Sequence, residues 1–208
     1  MKKVLVFTAA LLTLIGCCNK QDNMENKESN NQAAVMDNIL TRKSVRHFTG
    51  DTVPAEMVEQ LLRAGFAAPS AVNKQPWAFI VVDDATLIKQ LGDSLPASRL
   101  ANNATLGIIP CGDFNNTLEG AARDFWIQDC SAATENILLA AHSLGLGAVW
   151  SALTVTSEDD HRSDIARQIL NIPENLHPLC IITIGYPAED PEPKDKWNTE
   201  KIFYNKFE

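Results

Sequence analysis

Two short segments are the most informative part of this chain: Arg42-Lys43-Ser44-Val45-Arg46 and Pro69-Ser70-Ala71-Val72-Asn73-Lys74-Gln75-Pro76-Trp77. The first places three cations and a hydroxyl within five residues. If its backbone is extended, alternate side chains point the same way, so Arg42, Ser44 and Arg46 converge. Two guanidinium groups and a hydroxyl suit a phosphate or another anionic group, because the planar arginine fork binds oxyanions bidentately.

The second segment is a loop bounded by Pro69 and Pro76. Within it Ser70, Asn73 and Gln75 supply neutral donors and acceptors, which suit the edge of a heteroaromatic ring. Each segment taken alone is explained better by a solvated basic turn, or by an ordinary loop before a strand.

The N-terminus has the features of an export signal. Two lysines precede an apolar run over residues 4–15, which is too short to span a bilayer as a helix. Leu14-Ile15-Gly16-Cys17 is similar to a bacterial lipobox, which implies that Cys17 is acylated; Cys18 is the less favoured position, and an ordinary cleaved signal is the alternative. We therefore predict a lipoprotein signal peptide over residues 1–17 and a membrane-anchored protein of the cell envelope.

Residues 18–34 are almost entirely polar and predict a flexible tether, because they offer too little apolar surface to fold. The folded domain is predicted over residues 35–208. A start at Met36 would produce a complete cytoplasmic protein, which is the minority interpretation.

Composition limits the classes of function. The chain has 208 residues, of which 45% are hydrophobic, and a net charge of -8. A single sizeable core is therefore expected, and a nucleic-acid partner is not. Beyond the signal, Cys111, Cys130 and Cys180 form no C-x-x-C pair, so we predict buried inert thiols and no metal centre.

Apolar periodicity predicts alternating helices and strands in an α+β (α/β-like) fold. Helices are predicted from about Pro54, at Thr86–Leu91, at Gln128–Leu144 and at Ile165–Leu170, and strands at Trp77–Val82, Leu106–Cys111, Ala148–Leu153 and Leu179–Ile184. The tail from Ala188 carries Phe203, Tyr204 and Phe207 with little core of its own. A partner subunit would cover these aromatics, which predicts a homodimer.

These features together resemble the nitroreductase family of FMN-dependent oxidoreductases over Met36 to Phe207. The resemblance depends on five motifs in order: Arg-x-Ser-x-Arg at 42–46, Pro69-Ser70 with Asn73-x-Gln75-Pro76-Trp77, Gln128-Asp129, Gly145-Leu146-Gly147-Ala148-Val149-Trp150, and Ile184-Gly185-Tyr186-Pro187. It implies a central mixed sheet flanked by helices, with a C-terminal extension packed on the partner subunit.

The resemblance also implies which residues bind FMN. They are the block Arg42, Lys43, Ser44 and Arg46 at the phosphate, ribityl chain and pyrimidine edge; Asn73 and Gln75 at the isoalloxazine; Pro69 and Ser70 in a loop from the partner subunit; Ser151 and Ala152 near N5; and Lys196 near the phosphate. Many relatives carry arginine at the position of Lys196, and lysine binds phosphate as a point charge only.

The implied activity is the transfer of hydride through flavin N5, usually by a ping-pong mechanism, from NAD(P)H to nitroaromatic, quinone-like or other electron-poor small molecules. No catalytic side chain is required, because the protein supplies position and charge. Arg46, or alternatively Lys74, is the candidate cation near N1 and O2. The alternatives are another flavin reaction in the same fold, such as dehalogenation or enone reduction, and a surface lipoprotein that binds flavin or an aromatic ligand without turnover.

Three residues near the long helix have two interpretations each. Phe125 and Trp126 could line the substrate face, but an apolar packing role is favoured. For Asp129 a helix cap or a buried hydrogen-bonding group is favoured over a catalytic acid.

Overall fold

The computed structural model describes residues 31–154 and 161–207, so the predicted signal peptide, Cys17 and most of the tether lie outside the described residues. The chain divides into two compact units, one ending at Thr41 and the other beginning at Arg42. In the first unit, residues 31–41 form helix α1. Residues 31–34, predicted as tether, are therefore helical. Across the described ranges, no helix combines the length and the apolar character that a membrane crossing needs.

The second unit contains four helices and five strands among its described residues. The helices are α2 (Ala55–Phe66), α3 (Ala85–Ser94), α4 (Phe125–Ser143) and α5 (Arg162–Leu170). The strands are β1 (Trp77–Val82), β2 (Leu106–Asp113), β3 (Gly147–Ala152), β4 (Leu176–Pro178) and β5 (Cys180–Gly185). Each element predicted from periodicity is present, with bounds that differ by a few residues. The short strand β4 was not predicted, because three residues ending in proline give no usable period.

The strands form one sheet in the order β1-β2-β5-β3, with β4 paired to the end of β2. All four ladders are antiparallel. The α+β class is confirmed, and the parallel part of the predicted mixed sheet is confined to an isolated bridge between Ser44 and Ala148. Since β3 lies at one end of this order, no strand among the described residues pairs along its outer edge.

Both faces of the sheet are covered by helices. In β2, Ile108 packs in the core that contains Leu61 of α2 and Ile137 of α4, whereas its neighbour Ile109 packs in the core that contains Leu91 of α3. This alternation follows from the two-residue period of a strand. Because the central strands are buried on both sides, they appear in the sequence as continuous apolar runs.

Helix α4 is enclosed over most of its length, from Asp129 onward. It begins three residues before the predicted Gln128, and from Asp129 onward only Glu135 and Ser143 are exposed. Trp126 is buried, which confirms the packing interpretation, whereas Phe125 is 49% exposed.

The three cysteines of the domain are free and buried. Burial raises the pKa of Cys111 and of Cys180 to about 12 and raises that of Cys130 as well. A thiol must lose its proton to react, so these cysteines are inert at neutral pH, as predicted.

Candidate cofactor-binding site

The basic segment at 42–46 is attached to the beginning of β3. Ser44 forms the isolated bridge with Ala148, and the Val45 N–H donates to the Ala148 carbonyl at 3.1 Å. The side chain of Val45 is buried at the same point. Val45 is therefore the buried anchor of the segment, whereas its polar neighbours Ser44 and Arg46 remain accessible.

Two glycines make this attachment possible. Gly147 of β3 and Gly185 of β5 are cross-strand partners. A Cβ at Gly147 would lie 2.7 Å from Val45 Cγ1, and one at Gly185 would lie 3.0 Å from Phe48 Cδ1. Val45 thus occupies space that a Cβ at residue 147 would need, and a Cβ at residue 185 would require Phe48 to shift by a few tenths of an ångström.

Polar groups of this segment converge with the C-terminal tail on one cleft of about 260 Å³. The cleft is lined by Arg42, Lys43, Ser44, Arg46, Pro191, Glu192, Lys194 and Lys196. Five of these residues are cations and one is a carboxylate, in a chain whose net charge is -8. All four residues predicted from the first segment, and Lys196 of the tail, are therefore brought together. Lys194 was not predicted, although its spacing of two from Lys196 is a usable signal in an extended tail.

The charge of this cationic cleft is only partly neutralised by the protein. Arg42 Nε pairs with Glu135 of α4 at 3.2 Å, and Lys43 pairs with Asp190. Within residues 31–154 and 161–207, no carboxylate forms an ion pair with the other three cations, Arg46, Lys194 and Lys196. Uncompensated positive charge in a concave site favours an anionic ligand.

Glu189 fixes the direction of the segment beyond Val45. Its carboxylate accepts the Arg46 N–H at 2.6 Å and lies 2.8 Å from His47 Nδ1. The hydrogen bond from the Arg46 backbone, followed by that from His47, lowers the pKa of Glu189. The carboxylate therefore remains ionised at neutral pH and holds the backbone, which leaves the Arg46 side chain exposed at the cleft.

Beyond the attachment of Val45 to Ala148, the outer edge of β3 runs on to the C-terminal end of the strand. Because the Ala148 carbonyl accepts from Val45, it points away from β5, and backbone groups alternate along a strand. The N–H and C=O groups of Trp150 and Ala152 therefore also point outward. In agreement, the Ala152 carbonyl accepts a hydrogen bond from Arg162 Nη1 at 3.1 Å.

Of the two residues predicted near flavin N5, only Ala152 presents its backbone N–H to this edge. The N–H of Ser151 points toward β5 by the same alternation. Its hydroxyl donates to the Ala97 carbonyl at 2.8 Å and lies 3.4 Å from that of Ser98. The hydroxyl of the half-buried Ser151 is thus bonded to the turn at 97–98.

The loop at 69–76 has a strained, self-contained structure. Val72, Asn73 and Gln75 all have positive φ angles, an unusual concentration for residues other than glycine. Ser70 Oγ accepts the Gln75 N–H at 2.9 Å, and Gln75 Nε2 donates to Asn73 Oδ1 at 3.0 Å. These bonds hold the loop in a conformation that local sequence alone would not favour.

Asp129 anchors this loop to α4. It is buried, and its Oδ1 accepts the Ala71 N–H at 2.8 Å. The prediction of a buried hydrogen-bonding group is confirmed.

The loop does not contribute to the cationic cleft of its own subunit. Among the described residues that line the cleft, none comes from 69–76, so Pro69, Ser70, Asn73 and Gln75 are not brought to Arg42 and its neighbours. Of the two candidate cations for N1 and O2, Arg46 lines the cleft, whereas Lys74 is exposed on the loop and does not line it.

The residues present suit the phosphate end of FMN. The cleft offers charge that the protein leaves unmatched, and the outward N–H of Ala152 lies four residues along β3 from Ala148. At the usual rise of a strand this is about 13 Å, which gives an elongated ligand a path along the strand. No carboxylate pair or nucleophile–base pair lies among the cleft residues.

Comparison with known proteins agrees with this geometry. The model of the "Nitroreductase family" matches residues 39–113 and 95–186. A relative from Methanothermobacter thermautotrophicus, described as a "putative NADH dehydrogenase/NAD(P)H nitroreductase", is 39% identical over 173 residues, which are 83% of this chain and 87% of the relative. A crystal structure with the same description from Bacteroides thetaiotaomicron is 42% identical, with a TM-score of 0.76 over 84% of this chain and 98% of that one.

A third similar protein is described by its cofactor. The structure of an FMN-dependent nitroreductase from Clostridium difficile is 29% identical and has a TM-score of 0.73, covering 83% of this chain and 99% of that chain. The matched residues include the basic segment, the loop at 69–76, α4 and the paired glycines. The chain belongs to the nitroreductase family.

Proposed function

We propose that this chain is an FMN-dependent oxidoreductase that accepts hydride from NAD(P)H and delivers it to electron-poor small molecules such as nitroaromatics and quinones. The observation that carries the proposal is the cationic cleft at the beginning of the free β3 edge. Family membership and the FMN-dependent and NAD(P)H-linked descriptions of similar proteins support it.

The cleft is assigned to the phosphate. Arg42 and Arg46 supply planar donor forks, Lys43, Lys194 and Lys196 add positive charge, and Ser44 adds a hydroxyl. Glu135 and Asp190 hold two of these cations in place before the ligand arrives. Such pre-organisation lowers the entropic cost of binding.

The strand edge is assigned to the ring. FMN supplies the hydride acceptor, at N5, and the protein supplies orientation through the outward N–H of Ala152. No side chain of this chain is assigned a proton transfer to substrate, because positioning and electrostatics suffice for hydride transfer.

A second copy of the chain completes the proposed site. The loop at 69–76 is away from the cleft of its own subunit, so its ring-binding groups are assigned to the cleft of a partner. Large apolar side chains that a monomer leaves exposed support a homodimer: Phe66, Val72, Phe125, Trp197, Tyr204 and Phe207. Helix α1 of the first unit also exposes large apolar side chains, those of Val35, Met36, Ile39 and Leu40. The tail is proposed to pack on the partner subunit.

We also propose that acylation of Cys17 anchors the protein to a membrane of the cell envelope. The support is the lipobox-like Leu14-Ile15-Gly16-Cys17 after a short apolar run. An exported reductase would need an electron donor available at its location.

The purified protein is tested for bound chromophore by its absorbance spectrum, followed by heat release and identification of the released compound. The expected result is one FMN per subunit that is bleached by NADH or NADPH and reoxidised by a nitroaromatic or a quinone. A colourless protein that fails to take up added FMN would refute the proposal. Bound FMN that neither nicotinamide nucleotide reduces would refute its NAD(P)H-linked activity.

A further inference from the structure

The C-terminal end of β3 is irregular and is held by hydrogen bonds on two sides. The N–H groups of both Leu153 and Thr154 donate to one acceptor, the Leu179 carbonyl, at 3.0 and 3.1 Å. Thr154 Oγ1 donates to the Pro178 carbonyl at 2.6 Å. Two consecutive donors on one carbonyl break the regular ladder and turn the chain, as a bulge does, and bulges often redirect groups next to functional sites.

Arg162 bonds to the other side of the peptide group that joins Ala152 to Leu153. It is half-buried in the first turn of α5, and its Nη1 donates to the outward Ala152 carbonyl at 3.1 Å. Helix α5 is itself fixed, because its Ala166 is buried in the core beneath α3. The guanidinium is thus delivered to the free edge of β3 by a packed helix, beside the outward N–H of Ala152.

We infer that Arg162 is a positioning residue for the flavin. By fixing the Ala152 carbonyl, it sets the direction of the strand end and hence of the Ala152 N–H that faces the ring. This inference rests on the proposed function. It names Arg162 as the residue that orients the Ala152 N–H, the donor assigned to flavin N5. The arginine is suited to the task because its fork remains charged and planar at all relevant pH values.

The test compares three variants of the full chain. Arg162→Met keeps the side-chain stem but removes the donors, and Arg162→Lys restores one donor. Arg167→Met is the matched control, because Arg167 lies in the same helix and also donates to carbonyls, those of Pro173 and Leu176, but not to β3. FMN is the probe, and its dissociation constant is measured for each variant.

The direct readout is the amide proton of Ala152 in NMR spectra. Labelling serine carbonyls with ¹³C and alanine amides with ¹⁵N selects the three Ser–Ala pairs of the chain, which report Ala71, Ala132 and Ala152. Ala132 lies inside α4 and serves as an internal reference for the fold. The wild type is expected to show a downfield shift at Ala152 on addition of FMN, as a hydrogen bond forms.

In Arg162→Met this shift should shrink and the FMN dissociation constant should rise by about two- to tenfold, the range for one hydrogen bond. Arg162→Lys should recover part of both effects, and Arg167→Met should retain the wild-type shift. An unchanged Ala152 shift in Arg162→Met would overturn the inference while the proposed function stands. A wild type that binds no FMN would overturn both.

Discussion

Replacing Gly147 by alanine tests how the cleft is built. The added Cβ would lie 2.7 Å from Val45 Cγ1 and 2.8 Å from Val45 Cβ. A β-branched side chain has few alternative rotamers, so Val45 cannot easily turn away. The backbone of the basic segment must therefore move off β3. Overpacking of this kind costs about 1–3 kcal/mol of folding free energy.

Two assays follow the substitution. The melting temperature should fall by about 2–12 °C, given about 2–4 °C per kcal/mol for a domain of this size. The FMN dissociation constant should rise by about three- to thirtyfold, because charge-assisted contacts from Arg42 and Arg46 lose their alignment. Gly107→Ala in the adjacent buried region is the control, since its Cβ would meet no atom closer than 3.5 Å.

The double variant Gly147→Ala/Val45→Ala identifies the cause. Removing the two methyl groups of Val45 relieves its Cγ1 and Cγ2 contacts and leaves its Cβ 2.8 Å from the new Cβ, so the two substitutions should be less harmful together than the sum of their separate effects, without recovery of wild-type stability. Wild-type stability and FMN affinity in Gly147→Ala would show that Val45 does not anchor the segment against β3. Strict additivity in the double variant would contradict the proposed contact.

Four further substitutions have defined expectations. Arg42→Ala should weaken FMN binding by about 2 kcal/mol through loss of a charge-assisted contact, and a normal dissociation constant would show that the phosphate lies elsewhere. Asp129→Ala should lower unfolding free energy by about 1–3 kcal/mol, because the Ala71 N–H loses its acceptor; denaturant titration measures this, and an unchanged midpoint would contradict it. Burial, followed by the charges of Arg167 and Arg123, lowers the pKa of His177, so the folded protein should lose stability as pH falls below 6.5. In thermal melts His177→Phe should reduce this loss, and an unchanged pH dependence would contradict it. Cys17→Ala should move the protein from the membrane fraction to the soluble fraction, and retention in the membrane would contradict the anchor.

The fold was largely predictable from sequence. Strand β1 has the predicted bounds, Trp77–Val82, because a short apolar, β-branched run marks a buried strand. Asp84 caps α3, and its side chain accepts from the N–H groups of Thr86 and Leu87. Such local signals specify elements well, since each depends on neighbours in the chain.

The site was less predictable because its geometry depends on distant residues. The pairing of Arg42 with Glu135 joins positions 93 residues apart, and no local pattern indicates it. The role of Gly147 and Gly185 depends on their being cross-strand partners beneath Val45 and Phe48. Their sequence motifs identified the glycines, but only the structure assigns them a steric reason.

The separation of the basic segment at 42–46 from the loop at 69–76 within one subunit was likewise visible only in the structure. Asn73 and Gln75 bond to each other in a loop anchored by Asp129, away from the cationic cleft of their own subunit. Sequence order cannot say which subunit supplies a loop to a site. Resemblance to a family was the basis for assigning Pro69 and Ser70 to a partner.

The most direct test of the central claim is to compare the affinities of FMN and riboflavin for the purified protein. These ligands share the ring and the ribityl chain and differ by the phosphate. If the cationic cleft binds that phosphate, FMN should bind more tightly by about 3–6 kcal/mol, the value of two charge-assisted contacts, and the difference should shrink at high salt. Equal affinities for FMN and riboflavin would contradict the assignment of Arg42, Arg46 and Lys196 to the phosphate.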